Sequence, residues 1–170
     1  LRYDTTRTNR NRERSKVFMK IFMDYDIFEE GGNDIVPGEE VHNPTMNDPQ
    51  CTVCHEIMDP IAGAFQNWNP LGGYEPPPGW HQNMRAPGFG DEVVPVHRQA
   101  DSLKWLAEQV VETPQFSRAM VHLVYRMLTG RRFQKRPVVA DPLFDARMEV
   151  YEAQRGFAQR LAQGFRATGY

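Results

Sequence analysis

The 170 residues are enough for one domain with a sizeable buried core, and 40% hydrophobic with 25% charged residues is ordinary for a soluble globular chain. No apolar run approaches the roughly 18 residues of a membrane span, and LRYDTTRTNRNRERSK lacks the apolar core of a signal peptide. The formal net charge of −2 hides an asymmetry: residues 1–20 hold Arg2, Arg7, Arg10, Arg12, Arg14, Lys16 and Lys20 against Asp4 and Glu13, whereas Ile21 to Met84 holds eleven Asp or Glu and no Lys or Arg. That balance fits nucleic-acid binding poorly, so the basic start is read as a solvated helix face.

Taken in chain order, the predicted elements are helices joined by long loops. Val17, Phe18, Ile21, Phe22 and Tyr25 recur at helical spacing and predict a first helix over about residues 11–25. EEGGNDIVPGEEVHNPTMN reads as a loop. In NDPQCTVCHEIM, Asp48 is placed to cap a short helix starting at Pro49, and DPIAGAFQNW repeats the arrangement with Asp59 and Pro60. Residues 69–100 form a Pro- and Gly-rich loop, with EVVPV as a weak strand candidate; loops of this length inside compact domains are usually functional.

Asp101 or Ser102 opens a helix to about Glu112, and Thr113-Pro114 opens the next, which Gly130 ends. Phe116, Ala119, Met120, Leu123, Val124, Met127 and Leu128 share its apolar stripe, whereas His122 falls off it and is expected to be exposed. Asp141-Pro142 begins a last helix towards Arg166, with Phe144, Met148, Tyr151, Phe157, Leu161 and Phe165 among its apolar positions. The predicted fold is mainly α, with residues 1–100 bearing the site and residues 101–170 forming a helical C-terminal part.

The only two cysteines, Cys51 and Cys54, stand in QCTVCHEIMD with His55 directly after the second. A redox dithiol would want a βαβ context, and none is visible. A zinc site would recruit a distant His42, His81 or His97, but a second closely spaced ligand pair is missing. C-x-x-C-H is the attachment pattern of haem c: two thiols add across the two vinyl groups of one porphyrin edge, and the adjacent imidazole reaches the iron. One helical turn supplies all three groups. No phosphate-loop spacing or Ser/His/Asp arrangement points to hydrolysis.

NDPQCTVCHEIMDPIAGAFQNWNPLGGY resembles the cytochrome-c-like domain of large planctomycete-type exported proteins of unknown function, where CxxCHxxMDPxG(F) recurs. TNRNRERSKVFMKIFMDYDIF upstream, and TPQFSRAMVHLVYRMLTGR and GFAQRLAQGFRATGY downstream, are similar to the same proteins, so the resemblance covers most of the chain. Cys51, Cys54, His55, Met58, Asp59, Pro60 and Gly63 match; the loop from Tyr74 to Val96 is not typical of the pattern. The resemblance implies a cytochrome-c-like helical fold with long loops around one covalent haem c, in a piece of a longer exported polypeptide. The start at Leu1 rather than Met agrees with that expectation. Haem is attached to such motifs outside the cytoplasmic membrane in bacteria, which implies a periplasmic or extracytoplasmic location.

Further roles follow from small cytochromes c. Met58 is expected to pack against the ring or the helix, being on the same side as His55. Met84 in NMRAPGFG resembles a distal methionine and is the expected second axial ligand, with His97 as the alternative and His81 third. Met120 and Met127 read as core methionines. The carbonyl of Pro70 is the expected acceptor for the His55 ring N–H. Trp68, Tyr74 and Trp80 either wall the haem or pack the core.

The expected function is one-electron transfer between redox proteins. The alternatives are a five-coordinate haem with an enzymatic or sensing role and, more remotely, a structural zinc domain. Glu29, Glu30, Glu39 and Glu40 would offer a positively charged partner an acidic patch, unless they only solubilise a loop.

Overall fold

The computed structural model describes residues 11–27, 41–66 and 84–169, and helices make up 69% of these. In chain order they are α1 (Arg12–Phe22), α2 (Pro44–Asn47), α3 (Pro49–Ala64), the antiparallel pair β1 (Gly88–Phe89) and β2 (Glu92–Val93), and a 3-10 helix (Val96–Asp101). Then follow α4 (Ser102–Val111), α5 (Pro114–Thr129) and α6 (Phe144–Thr168). The mainly helical class is as expected. Two segments read mainly as loop carry structure: α2 lies in the first, and in the second β2 falls within the EVVPV strand candidate while β1 and the 3-10 helix were not expected.

The chain divides into two compact units, one of residues 1–20 and 25–111, the other of residues 21–24 and 112–170. In the first, α3 starts as its sequence dictates: the Asp48 side chain accepts the Gln50 N–H at 2.8 Å, and Pro49 occupies the first turn, where a missing N–H costs nothing. The second start expected at Asp59-Pro60 does not occur. α3 runs through Pro60 to Ala64, because the Asp59 carboxylate turns inward, fully buried, and caps nothing.

α1 packs on this helix through polar contacts. Ser15 Oγ donates to the Met58 carbonyl at 2.8 Å and Arg12 reaches Asp59, while Phe18 meets Phe65 edge to face at 6.0 Å. The buried residues of α1 are Arg14, Ser15 and Met19, and Phe18, one of the expected apolar face, is half-buried against Phe65. Ile21 and Phe22, expected inside, are exposed, and Arg12 and Arg14, expected on a solvated face, are drawn in.

α4 is held to the end of α3 by Ser102 Oγ, which donates to the Ala64 carbonyl at 2.7 Å. Ile61, Ala62, Ala64, Trp105, Leu106 and Val110 supply core from these two helices. Gly63 admits the segment ahead of the hairpin: a Cβ there would lie 2.8 Å from Pro87 Cγ and 2.9 Å from its Cα. No side chain larger than hydrogen fits.

In the second unit, Thr113 accepts the Phe116 N–H at 3.2 Å to cap α5, and Gly130 ends that helix in the left-handed region at φ 69°. α5 and α6 pack together, burying small residues: Ser117 and Ala119 on one, Ala158 and Ala162 on the other. The expected stripes fit only in part. Phe116, Met120, Phe144, Met148, Tyr151 and Phe165 are half-buried, whereas Leu123, Val124, Met127, Leu128, Phe157 and Leu161 are exposed. His122 is not the free surface residue expected, since its Nδ1 lies 2.7 Å from Asp24 Oδ2 and its ring packs on Phe133.

Candidate functional site

α3 carries the site. On a helix, positions 51, 54, 55, 58 and 59 follow the i, i+3, i+4, i+7, i+8 series and share one face. Cys51, Cys54, His55 and Met58 are half-buried on it, and both cysteines are free thiols. Partial burial, the Asp48 carboxylate and Cys54 push the Cys51 thiol up. A dithiol exchange catalyst needs the opposite shift, towards thiolate at neutral pH.

His55 is held from one side. Its Nδ1 lies 2.9 Å from Asp59 Oδ1, one helical turn onward. Asp59 takes a two-point grip from Arg12, with Nε donating to Oδ1 at 2.8 Å and Nη2 to Oδ2 at 3.0 Å. Burial alone pushes the Asp59 carboxyl up, but the bonds and charges of His55 and Arg12 outweigh it and hold the group below the ordinary carboxylate range. An ionised carboxylate only accepts, so His55 donates from Nδ1 and its remaining lone pair sits on Nε2.

The segment after residue 83 lies along the same helix. Arg85 pairs with Glu56 next to His55, and Pro87 abuts Gly63. Met84, at the head of that segment, is buried, whereas His97 on the 3-10 helix and His42 ahead of α2 are exposed. Trp68, Pro70, Tyr74, Trp80 and His81 lie outside the described residues. Among the described residues the partner of His55 Nδ1 is Asp59, and the expected acceptor, the Pro70 carbonyl, lies outside them.

The donor set fits a covalently attached haem: two free thiols and an imidazole on one helical face, with Nδ1 engaged and Nε2 left for a metal. Among the described residues, no three His, Cys, Asp or Glu side chains converge as a group that could hold an ion by themselves. A porphyrin supplies four of iron's ligands, so a haem needs no such cluster.

Sequence reasoning missed Asp59 and Arg12 as site residues. The signal for Asp59 was present in its i, i+4 spacing from His55, but Asp-Pro was read as a helix start. Arg12, 47 positions from Asp59, left no local signal. No protein family, curated protein or solved structure matches this chain.

Proposed function

We propose that this chain is a mono-haem c module for one-electron transfer. The observation that carries the reading is the shared face of α3, where free Cys51 and Cys54 precede a His55 whose Nδ1 is already bonded. The haem, when bound, supplies a ferric/ferrous couple that gains or loses one electron without bond rearrangement. Cys51 and Cys54 would hold it through two thioether links, each thiol S–H adding across one vinyl group. No atom leaves and no oxidant is consumed.

His55 would hold the iron through Nε2, its Nδ1 being taken by Asp59, and Met58 one turn on would lend an apolar surface. Met84 would be the second side chain to hold the iron; it is buried next to Arg85, which with Pro87 anchors this stretch to α3. The electron donor and acceptor are redox proteins. The module belongs, on the resemblance of its motif, to a larger protein of the periplasm or cell exterior.

Intact mass tests the attachment. The chain matured with haem is expected to exceed its sequence mass by one haem, to give a c-type pyridine haemochrome and to keep its colour through acid-acetone extraction. Cys51→Ala and Cys54→Ala should each lose one thioether link. An unmodified mass, or zinc in place of iron, overturns the reading.

The second ligand is tested separately. Met84→Ala is expected to lower the reduction potential or to open the iron to carbon monoxide, because thioether ligation favours the ferrous state. If His97→Ala changes spectrum and potential while Met84→Ala changes neither, His97 is the ligand.

A further inference from the structure

We infer that Asp59, clamped by Arg12, is the positioning residue of the proximal histidine: it fixes His55 as the Nδ1–H tautomer and makes Nε2 a stronger donor, biasing the iron towards its ferric state. The iron comes from the function proposed above; the geometry stands without it. Asp59 has no exposure to water, and its Oδ1 serves both His55 Nδ1 at 2.9 Å and Arg12 Nε at 2.8 Å. Arg12 is itself fixed, because α1 is tied to α3 one turn further along by Ser15 Oγ on the Met58 carbonyl at 2.8 Å. Asp59 meets the imidazole at Nδ1, and Arg12 from the other helix holds Asp59 in place behind it, which restrains the ring on that edge.

Stability alone gives no reason for this arrangement. A buried ion pair is often no better for stability than apolar residues of the same volume. A carboxylate behind a metal-binding histidine has a different effect: it selects the tautomer, orients the ring and raises the basicity of the ligating nitrogen. A more basic axial nitrogen stabilises the higher charge of ferric iron. A backbone carbonyl, being neutral, does the first two and less of the third.

The test has two arms. In the haem-free chain, at a pH well above the titration of an imidazole, the nitrogen-15 shifts of His55 are expected to report the Nδ1–H tautomer. In the haem-bearing chain, Asp59→Asn keeps the size and an acceptor oxygen but removes the charge. It is expected to shift the ferric/ferrous equilibrium towards ferrous by about tenfold, which is about 59 mV for a one-electron couple, at unchanged haem content.

An Nε2–H tautomer in the haem-free chain overturns the positioning role. An unmoved midpoint in Asp59→Asn that still carries its haem overturns the electronic role. Should Asp59→Asn fail to fold, the tautomer of the unaltered chain still decides the first. A chain that takes no haem overturns the electron-transfer reading, and the tautomer then judges Asp59 alone.

Discussion

A carboxylate removed from water stays ionised only where its neighbours replace the hydration it has lost, and Asp59 has a guanidinium and an imidazole N–H to do so. Its carboxyl is held below the ordinary range although burial pushes it the other way. The folded chain therefore binds fewer protons at this group than the unfolded chain does. The resulting stability is present above the ordinary carboxylate value of about 3.9 and is lost as pH falls through the folded value. Urea midpoints measured downward from pH 7 should fall steeply below about pH 4, and the fall should be shallower in Asp59→Asn. Some acid sensitivity should survive in that variant, because Arg98 also holds Asp101 low. An equally steep fall would show that Asp59 is not the group being titrated. Removing the other partner should be costlier at neutral pH: Arg12→Ala leaves a buried anion with one bond, at about 3–5 kcal/mol.

At the scale of elements, the helix boundaries that depend on local chemistry were legible. Asp48-Pro49 and Thr113-Pro114 open helices because a side-chain oxygen and a proline both suit the first turn, and Gly130 closes one because glycine accepts the left-handed region. Asp59-Pro60 carries the same local signature and does the opposite: its carboxylate is engaged by a long-range ion pair and caps no helix. The inner face of α1 was misread for a related reason. Periodicity counts apolar residues, and α1 docks through Ser15 and Arg12. The close approach at Gly63 is likewise invisible in sequence, because its partner Pro87 lies beyond a long Pro- and Gly-rich stretch. Gly63→Ala should force Pro87 and its backbone away from α3, costing about 1–3 kcal/mol as overpacking does. The Val94 amide, bonded to the Pro87 carbonyl at 2.8 Å, should then exchange faster with solvent. Unchanged stability and exchange would mean that the segment does not rest on Gly63.

For the whole molecule, the charge asymmetry between residues 1–20 and 21–84 resolves into two groups of carboxylates. Five of the eleven in the acidic segment lie in described residues, and each has a job. Asp24 holds His122, Asp26 takes Lys20 at 2.6 Å, Asp48 caps α3, Glu56 takes Arg85, and Asp59 holds Arg12 and His55. The other six, Glu29, Glu30, Asp34, Glu39, Glu40 and Glu75, lie outside the described residues. A carboxylate already paired with a cation, as Asp26, Glu56 and Asp59 are, adds little to the field felt by a partner. The field of several unpaired charges raises encounter rates by roughly 10- to 1,000-fold and fades as salt shortens the screening length to about 8 Å at physiological strength. The haem-bearing chain should accordingly reduce a small cationic oxidant faster than an anionic one at low salt, with the lead shrinking as salt is added. Replacing Glu29, Glu30, Glu39 and Glu40 together by Gln should remove most of that lead, while Asp26→Asn, which removes a carboxylate already paired with Lys20, should leave it in place. Equal rates for the two oxidants across the salt series would show that the acidic segment serves the fold alone and steers no partner.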